Sequence, residues 1–512
     1  MTGRERQLRV ADPDRTTPIA ARAHRTAWPH RGPARAPRIA HPAEPITTPL
    51  PVLGPGGFVI ADAPTQPIAL GRAAGGRRPG AGAGGGAAMS ISSALGALAG
   101  LVSWLLAARL LPQAEVGLAA AVVSAFILIA GMTQLNLGLG LMRWLPTAGR
   151  YAPPLVWRSL LSIMPLSGLV GLGYVLAVPE LARTAAGADG SHVLGTCLFV
   201  LAAAGWGAFV IHDYVLVAIG KPWWCVWRNG LFAAVRITLL VVLGTTLGAQ
   251  GVVLSWVGPI VVWIAAGSLV LAVAVRRFAR GACGGTMPCP SEVVGFLGPT
   301  AVAQMGYTLL LNQVPLVVIL RFGPEAGAAF FIAWQATVVV ETAATYFTHS
   351  LSAACAREPE RAAELVCASR RRLLVVFLPL LAVGALLAGP GLSIFGPQYA
   401  AAADVLRVLL LGQAFRLIVV HELAVRTATG RGVAFARLHL TGTVLVLAAV
   451  ALVPAGDTVV GTAVGTAGGT AGGTAVALLP VALGYAAVQL VLATHVGVLQ
   501  LRGLGRALPG RH

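Results

Sequence analysis

From Met89 onward the hydrophobic positions gather into twelve apolar stretches separated by short polar breaks. They cover approximately residues 90–111, 116–137, 160–178, 193–219, 231–247 and 252–275, then 295–320, 328–351, 373–388, 405–425, 433–453 and 474–499. Most are close to the ~20 residues that a helix rising ~1.5 Å per residue needs to cross a hydrocarbon core of ~30 Å. The pattern predicts an all-α polytopic membrane protein with twelve transmembrane helices.

The first 88 residues carry no such pattern. They hold 13 Pro and 13 Gly, with 12 Arg against five acids, and their apolar residues follow neither a helix nor a strand period, which predicts disorder. They are not a signal peptide, because no compact hydrophobic run follows a short basic start. Met89 stands immediately before the first membrane-length run. Residues 1–88 therefore read either as a solvated cytoplasmic tail or as sequence upstream of the true start.

Composition removes the soluble classes. Of 512 residues, 56% are hydrophobic and 11% charged, and the mean hydropathy is +0.79. The balance of 37 basic and 18 acidic residues gives +19, a value that would suit a nucleic-acid binder if the charges shared a surface. They lie between the apolar runs instead, as topology signals do, so no nucleic-acid partner is expected. All the basic residues but Lys221 are Arg, a skew that fits codon usage in a GC-rich genome better than any binding chemistry.

The placement of these charges tests the span count, because an error of one helix would invert every later loop. Even-numbered gaps and the C-terminus hold 19 basic residues: Arg143, Arg150 and Arg158; Lys221 and Arg228; Arg276, Arg277 and Arg280; Arg357, Arg361, Arg370, Arg371 and Arg372; Arg426, Arg431 and Arg437; Arg502, Arg506 and Arg511. Odd-numbered gaps hold three, Arg109, Arg183 and Arg321. The asymmetry predicts an even number of spans and both termini in the cytoplasm; the expected location is the cytoplasmic membrane of a bacterium. Trp223, Trp224 and Trp227 beside Lys221 and Arg228 read as an interfacial aromatic belt. The mixed-charge segment 357–372 reads as a short amphipathic helix on the inner leaflet.

The six cysteines, Cys197, Cys225, Cys283, Cys289, Cys355 and Cys367, show no C-x-x-C spacing, so neither a disulfide framework nor a metal site is indicated. The Gly-Thr-Ala tract at 461–474 reads as a small-residue loop or helix lead-in. It is not a phosphate cradle, since no Lys follows and no strand precedes. No cofactor is expected.

A long offset recurs within the chain. Arg109-Leu-Leu-Pro112 matches Arg321-Phe-Gly-Pro324, His212-Asp213 matches His421-Glu422, and Gly220-Lys221 matches Gly430-Arg431, at offsets of 212, 209 and 210 residues. The common offset predicts two six-helix bundles, 89–280 and 295–501, joined by a cytoplasmic linker at 281–294 and followed by a cytoplasmic tail at 502–512. Because six is even, the two copies would be parallel pseudo-repeats.

Several segments then resemble the multidrug/oligosaccharidyl-lipid/polysaccharide (MOP) flippase superfamily, in its polysaccharide or O-antigen exporter branch. They are Trp104-Leu-Leu-Ala-Ala-Arg-Leu-Leu-Pro112 through Glu115-Val-Gly117, Gly138-Leu-Gly140 leading to Arg143, Gly323-Pro-Glu-Ala-Gly327 with Ile332-Ala333, and Ile394-Phe-Gly-Pro-Gln-Tyr399 followed by Val405-Leu-Arg407. The resemblance implies two bundles around a central cavity that opens to each face in turn. It implies a polyprenyl-diphosphate-linked oligosaccharide as cargo, and a glycan polymerase and glycosyltransferases as associated partners.

Charged residues inside the apolar runs are the candidate site. An Arg at bilayer depth costs roughly 3 kcal/mol on insertion scales, so it faces a cavity or a partner. Guanidinium forks bind phosphate oxygens bidentately, which suits a lipid diphosphate. Arg416 is read as a cavity cation, with an ion pair to Glu341 or Glu422 as the alternative. Arg236 and Arg407 join it or snorkel to a helix end. Arg109 and Arg143 form a cationic funnel or cap their helices. Gln304, Tyr307, Asn312 and Gln313, ahead of Pro315, read as a kinked cavity helix with hydrogen-bonding groups for sugar hydroxyls, and Gln134 and Asn136 do likewise; helix–helix contacts are the competing account. Glu341, Asp213 and Glu422 are the ion-coupling candidates, or else structural ion pairs.

Three other functions are weighed against this. A multidrug and toxin extrusion transporter of the same fold exports organic cations and normally needs an acid in the first bundle, yet residues 90–111 hold no Asp or Glu. A lipid II flippase usually carries two further C-terminal helices. A membrane glycosyltransferase would need an acid/base pair on an extracytoplasmic loop, and those loops are short and poor in acids, so no enzyme is expected.

Overall fold

The computed structural model describes residues 81–282, 284–454 and 471–507, and these are almost wholly helical. The first half comprises α1 (Ala81–Leu110), α2 (Gln113–Thr133), α3 (Leu137–Trp144), α4 (Ala152–Ala177), α5 (Pro179–Ala186), α6 (His192–Ala218) and α7 (Pro222–Arg280). The second half begins with α8 (Pro290–Thr308), which passes through a π-helical segment (Leu309–Gln313) into α9 (Val314–Phe322). It continues with α10 (Pro324–Arg357), α11 (Ala362–Leu386), α12 (Ala388–Ser393), α13 (Ala403–Ala428), α14 (Gly432–Leu452) and α15 (Ala471–Ala507).

Nine of the described helical segments are long and apolar enough to cross a membrane. The 59-residue α7 is counted once among them but breaks at Gly248 into two arms, and α1 and α11 bring the spans to twelve. The chain is a multi-pass membrane protein. Burial separates inner from lipid-facing helices: 89% of the apolar window of α2 is buried, against 28% for α4 and for α7. On α4, Leu161, Leu169 and Leu176 are exposed, as lipid-facing residues are. The Ala- and Gly-rich face of α2 lets neighbouring backbones approach closely, and α2 packs against α6, α7, α8, α9 and α10.

The break in α7 has a local cause. Gly248 adopts φ 58°, ψ −133°, a conformation closed to residues with a Cβ. Beyond it the second arm restarts with its Ala249 N–H donated to the Glu115 carboxylate at 2.6 Å, so a residue in the first turn of α2 caps a helix of another span. Gly248→Ala is expected to cost about 1–3 kcal/mol, read as a lowered Tm of the purified protein. Gly244→Ala, one turn earlier in regular helix and in ordinary contact with Leu240, is expected to be near neutral or stabilising; equal melting of the two variants would refute the argument.

Pro315 acts through the same physics. It lacks the N–H that would bond to the Leu311 carbonyl, and the turn before it widens into the π segment. The Leu311 oxygen is satisfied instead by the Trp334 indole N–H of α10 at 3.1 Å. Gly220 and Gly430 end α6 and α13 alike, with φ 76° and 69°. Lys221 N–H reaches Leu216 O at 2.8 Å, and Arg431 N–H reaches Arg426 O at 2.8 Å, the paired-turn ending that a left-handed glycine permits.

Several boundaries differ from the sequence reading. α1 begins at Ala81, so residues 81–88 are helical rather than tail, while residues 1–80 lie outside the described residues. Segment 357–372 is no separate surface helix: α11 starts at Ala362, and no Gly or Pro interrupts it before Pro379, so the helix runs on into the span. Its lead-in carries exposed ion pairs from Arg361 to Glu358 and Glu364. α15 continues to Ala507, through part of the expected tail. The small-residue tract lies outside the described residues as far as position 470.

Candidate functional site

The halves meet along a seam where α2 and α3 face α8, the π segment, α9 and α10. Small residues make the approach possible. A Cβ on Gly117 would lie 2.0 Å from the Pro324 carbonyl oxygen, and one on Gly131 would lie 2.6 Å from Thr308 Cγ2. At the arginine-poor face, Gln113 Nε2 donates to Glu325 O at 2.8 Å and Arg109 Nε donates to Ile394 O at 2.7 Å. Further in, the Tyr174 hydroxyl of α4 donates to Gln313 Oε1 at 2.9 Å. Towards the arginine-rich face, Asn136 Nδ2 donates to Thr300 O at 3.1 Å and the Trp144 indole to Glu292 at 3.0 Å, with the Arg143 guanidinium over the Phe296 ring at 4.8 Å. The connection between the halves is pinned there too, since Arg150 N–H donates to Gly284 O.

The backbone explains part of this placement. Leu135 and Asn136 have φ 47° and 59°, a left-handed step between α2 and α3 that Asn tolerates, and the step turns the Asn136 amide across the seam. Gln134 is buried beside it, its amide nitrogen without a protein acceptor among the described residues. Gln304 Nε2 donates to Thr308 Oγ1 at 3.2 Å, and Asn312 turns back onto Thr308 O at 3.1 Å. The structure thus gathers Arg109, Arg143, Gln134, Asn136, Gln304, Asn312 and Gln313 on or beside one interface.

The remaining charges sit inside the halves. In the second half, Arg416 of α13 donates through Nη2 at 2.8 Å and Nε at 3.1 Å to one oxygen of Glu341 on α10, with side chains 1% and 5% exposed. Tyr485 donates to Gln413 at 2.9 Å alongside, and His439 meets the edge of Tyr307. In the first half, Asp213 of α6 pairs with Arg228 of α7 at 2.9 Å and accepts from Asn229 at 3.1 Å. Glu422 pairs with Arg426 at 2.9 Å and accepts from Gln500. Arg407 is exposed at the start of α13, paired with Asp404 and donating to Ala385 O.

Arg228 corrects the sequence reading, which placed it among the interfacial cations. It is buried, stacked 3.8 Å over Phe209, and donates to Phe209 O at 2.9 Å. The helix begins earlier than the apolar run at 231–247: α7 starts at Pro222, so Arg228 lies about two turns inside it. Lone carboxylates and guanidiniums are expensive to bury, and in the buried pairs Asp213–Arg228 and Glu341–Arg416 each charge offsets much of the other's cost. Among the described buried arginines, Arg236 alone has no carboxylate. It donates to Ala99 O at 3.0 Å and Ser103 Oγ at 2.9 Å and lies 4.3 Å over Trp256.

A MOP superfamily transporter from Pyrococcus furiosus, whose binding pocket is described as having reverse polarity that suggests a different function, superimposes with a TM-score of 0.52. Identity is 18%, over 81% of this chain and 94% of that one. The chain has the fold of the MOP superfamily transporters. The inward-facing conformation of a multidrug resistance MATE family transporter of the same superfamily gives a TM-score of 0.49 at 16% identity, over 81% of this chain and 98% of that one. No family model and no curated protein matches the sequence. On the MOP fold the polar seam lies between the two sets of six spans, and the ion pairs Asp213–Arg228 and Glu341–Arg416 each lie within one set.

Proposed function

We propose that this chain is an alternating-access transporter that moves a polyprenyl-diphosphate-linked oligosaccharide across the cytoplasmic membrane, with the arginine-rich face in the cytoplasm. The observation that carries this reading is the disposition of charge. Among the described residues the two deeply buried carboxylates, Asp213 and Glu341, are each charge-paired with a guanidinium, which leaves neither as a lone anion to hold an organic cation. The seam offers amides and a phenol suited to sugar hydroxyls, with Arg143 towards one face and Arg109 towards the other, where diphosphate would enter and leave. Transport requires α2 to part from α10 at one face and α3 from α8 at the other, in alternation, driven by differential binding of the cargo to the two states.

The test is reconstitution. Proteoliposomes of the purified chain are expected to translocate a fluorescent short-chain polyprenyl-diphosphate oligosaccharide, followed by leaflet accessibility of the glycan. Arg143→Gln is expected to slow this about tenfold or more through loss of charge-assisted hydrogen bonds to phosphate. Ethidium extrusion without glycolipid translocation would replace this reading with a cation antiporter.

A further inference from the structure

Three spans of the first half close around the Arg236 guanidinium. Ser103 and Trp104 come from α1, Arg236 from the first arm of α7, and Ser255 and Trp256 from its second arm. They line a small, partly open pocket of about 10 Å³, room for one particle about the size of a water molecule. Arg236 is 1% exposed, and its Nε and Nη1 have no protein acceptor among the described residues; neither has the Trp104 indole N–H. The Ser103 hydroxyl already donates to Ala99 O at 2.7 Å and accepts from Arg236, and the Ser255 hydroxyl donates to Val252 O at 2.6 Å.

The unsatisfied groups in this wall are therefore all donors, and the one formal charge is positive. A water molecule would accept from them, but its own hydrogens would gain little and the charge would stay uncompensated. A monoatomic anion accepts from several N–H groups at once and neutralises the guanidinium, which cannot shed its proton as a lysine can. A phosphate or sulfate is too large for the space.

We propose that this pocket binds a single halide ion, chloride in ordinary salt, and that the ion ties α1 to both arms of α7. The site lies within the first half and borders the second at Trp104, whose ring meets the edge of Phe331 on α10 at 4.6 Å.

Equilibrium binding of radiolabelled chloride to the purified full-length protein in a gluconate buffer tests this without any transport measurement. One saturable site per chain is expected, displaced by bromide and not by sulfate, together with a higher Tm in chloride than in gluconate at equal ionic strength. Arg236→Met is expected to abolish both effects. Trp104→Phe, which removes one donor and keeps the ring, is expected to weaken chloride binding about tenfold and serves if the Arg236 variant does not fold. Absence of saturable chloride binding to the unmutated protein, displacement by sulfate as readily as by bromide, or unchanged affinity in Trp104→Phe would overturn the proposal. Because no cargo is present, failure here leaves the transport reading untouched, and the reverse also holds.

Discussion

Arg416→Ala is expected to destabilise the protein by about 3–5 kcal/mol, because it strands the Glu341 carboxylate in an interior that offers it little water. Both side chains are almost fully buried, and both Arg416 hydrogen bonds fall on one Glu341 oxygen. The double variant Arg416→Met, Glu341→Leu replaces the pair with apolar groups of similar bulk. It is expected to recover most of that loss, since a buried pair repays little more than its own desolvation. Thermal melting of the detergent-purified proteins measures both. A single variant as stable as the parent would show that the pair does not form. A double variant that melts like the parent and still transports would confine the pair to stability, whereas a stable double variant without transport would place the charges in the transport cycle.

Gly117→Val is expected to abolish transport while leaving membrane insertion intact. The added Cβ would meet the Pro324 carbonyl at 2.0 Å, and a backbone atom at a helix start cannot turn aside as a side chain can. The seam at the arginine-poor face could then no longer close, and one of the two states needed for alternation would be lost. Gly131→Ala is expected to be milder: its obstacle is the Thr308 side chain, which has other rotamers. Gly173→Ala on α4, where no atom lies within 4 Å of the new methyl, is the neutral control. Proteoliposome translocation read beside membrane content separates these cases, and full activity in Gly117→Val would mean that this contact is not part of the cycle.

The seam was partly legible in advance. Arg109, Arg143, Asn136 and Gln313 stand out as polar residues in or beside apolar runs, and the cost of burying such groups says that each must have a partner. It does not say which partner. Asn136 reaches Thr300 and Tyr174 reaches Gln313 across more than a hundred residues of chain, distances over which no spacing rule operates. Arg228 shows the opposite failure. Its neighbours Lys221, Trp223 and Trp224 gave it the look of a surface anchor, and only the packing of α6 against α7 turned it inward onto Asp213.

What the sequence determined by itself was the set of spans and the arginine asymmetry of the loops between them. Both follow from local free energies: about twenty apolar residues satisfy their own backbone as a helix in hydrocarbon, and a guanidinium outside such a run stays in water. Tertiary structure decided which buried charges are neutralised and which is not. Glu341 and Arg416 are 75 residues apart, and Arg236 finds only Ala99 and Ser103, 137 and 133 residues away. Electrostatic compensation depends on distance in space, and which spans pack together is set by surface fit between helices that the order of residues along the chain does not disclose.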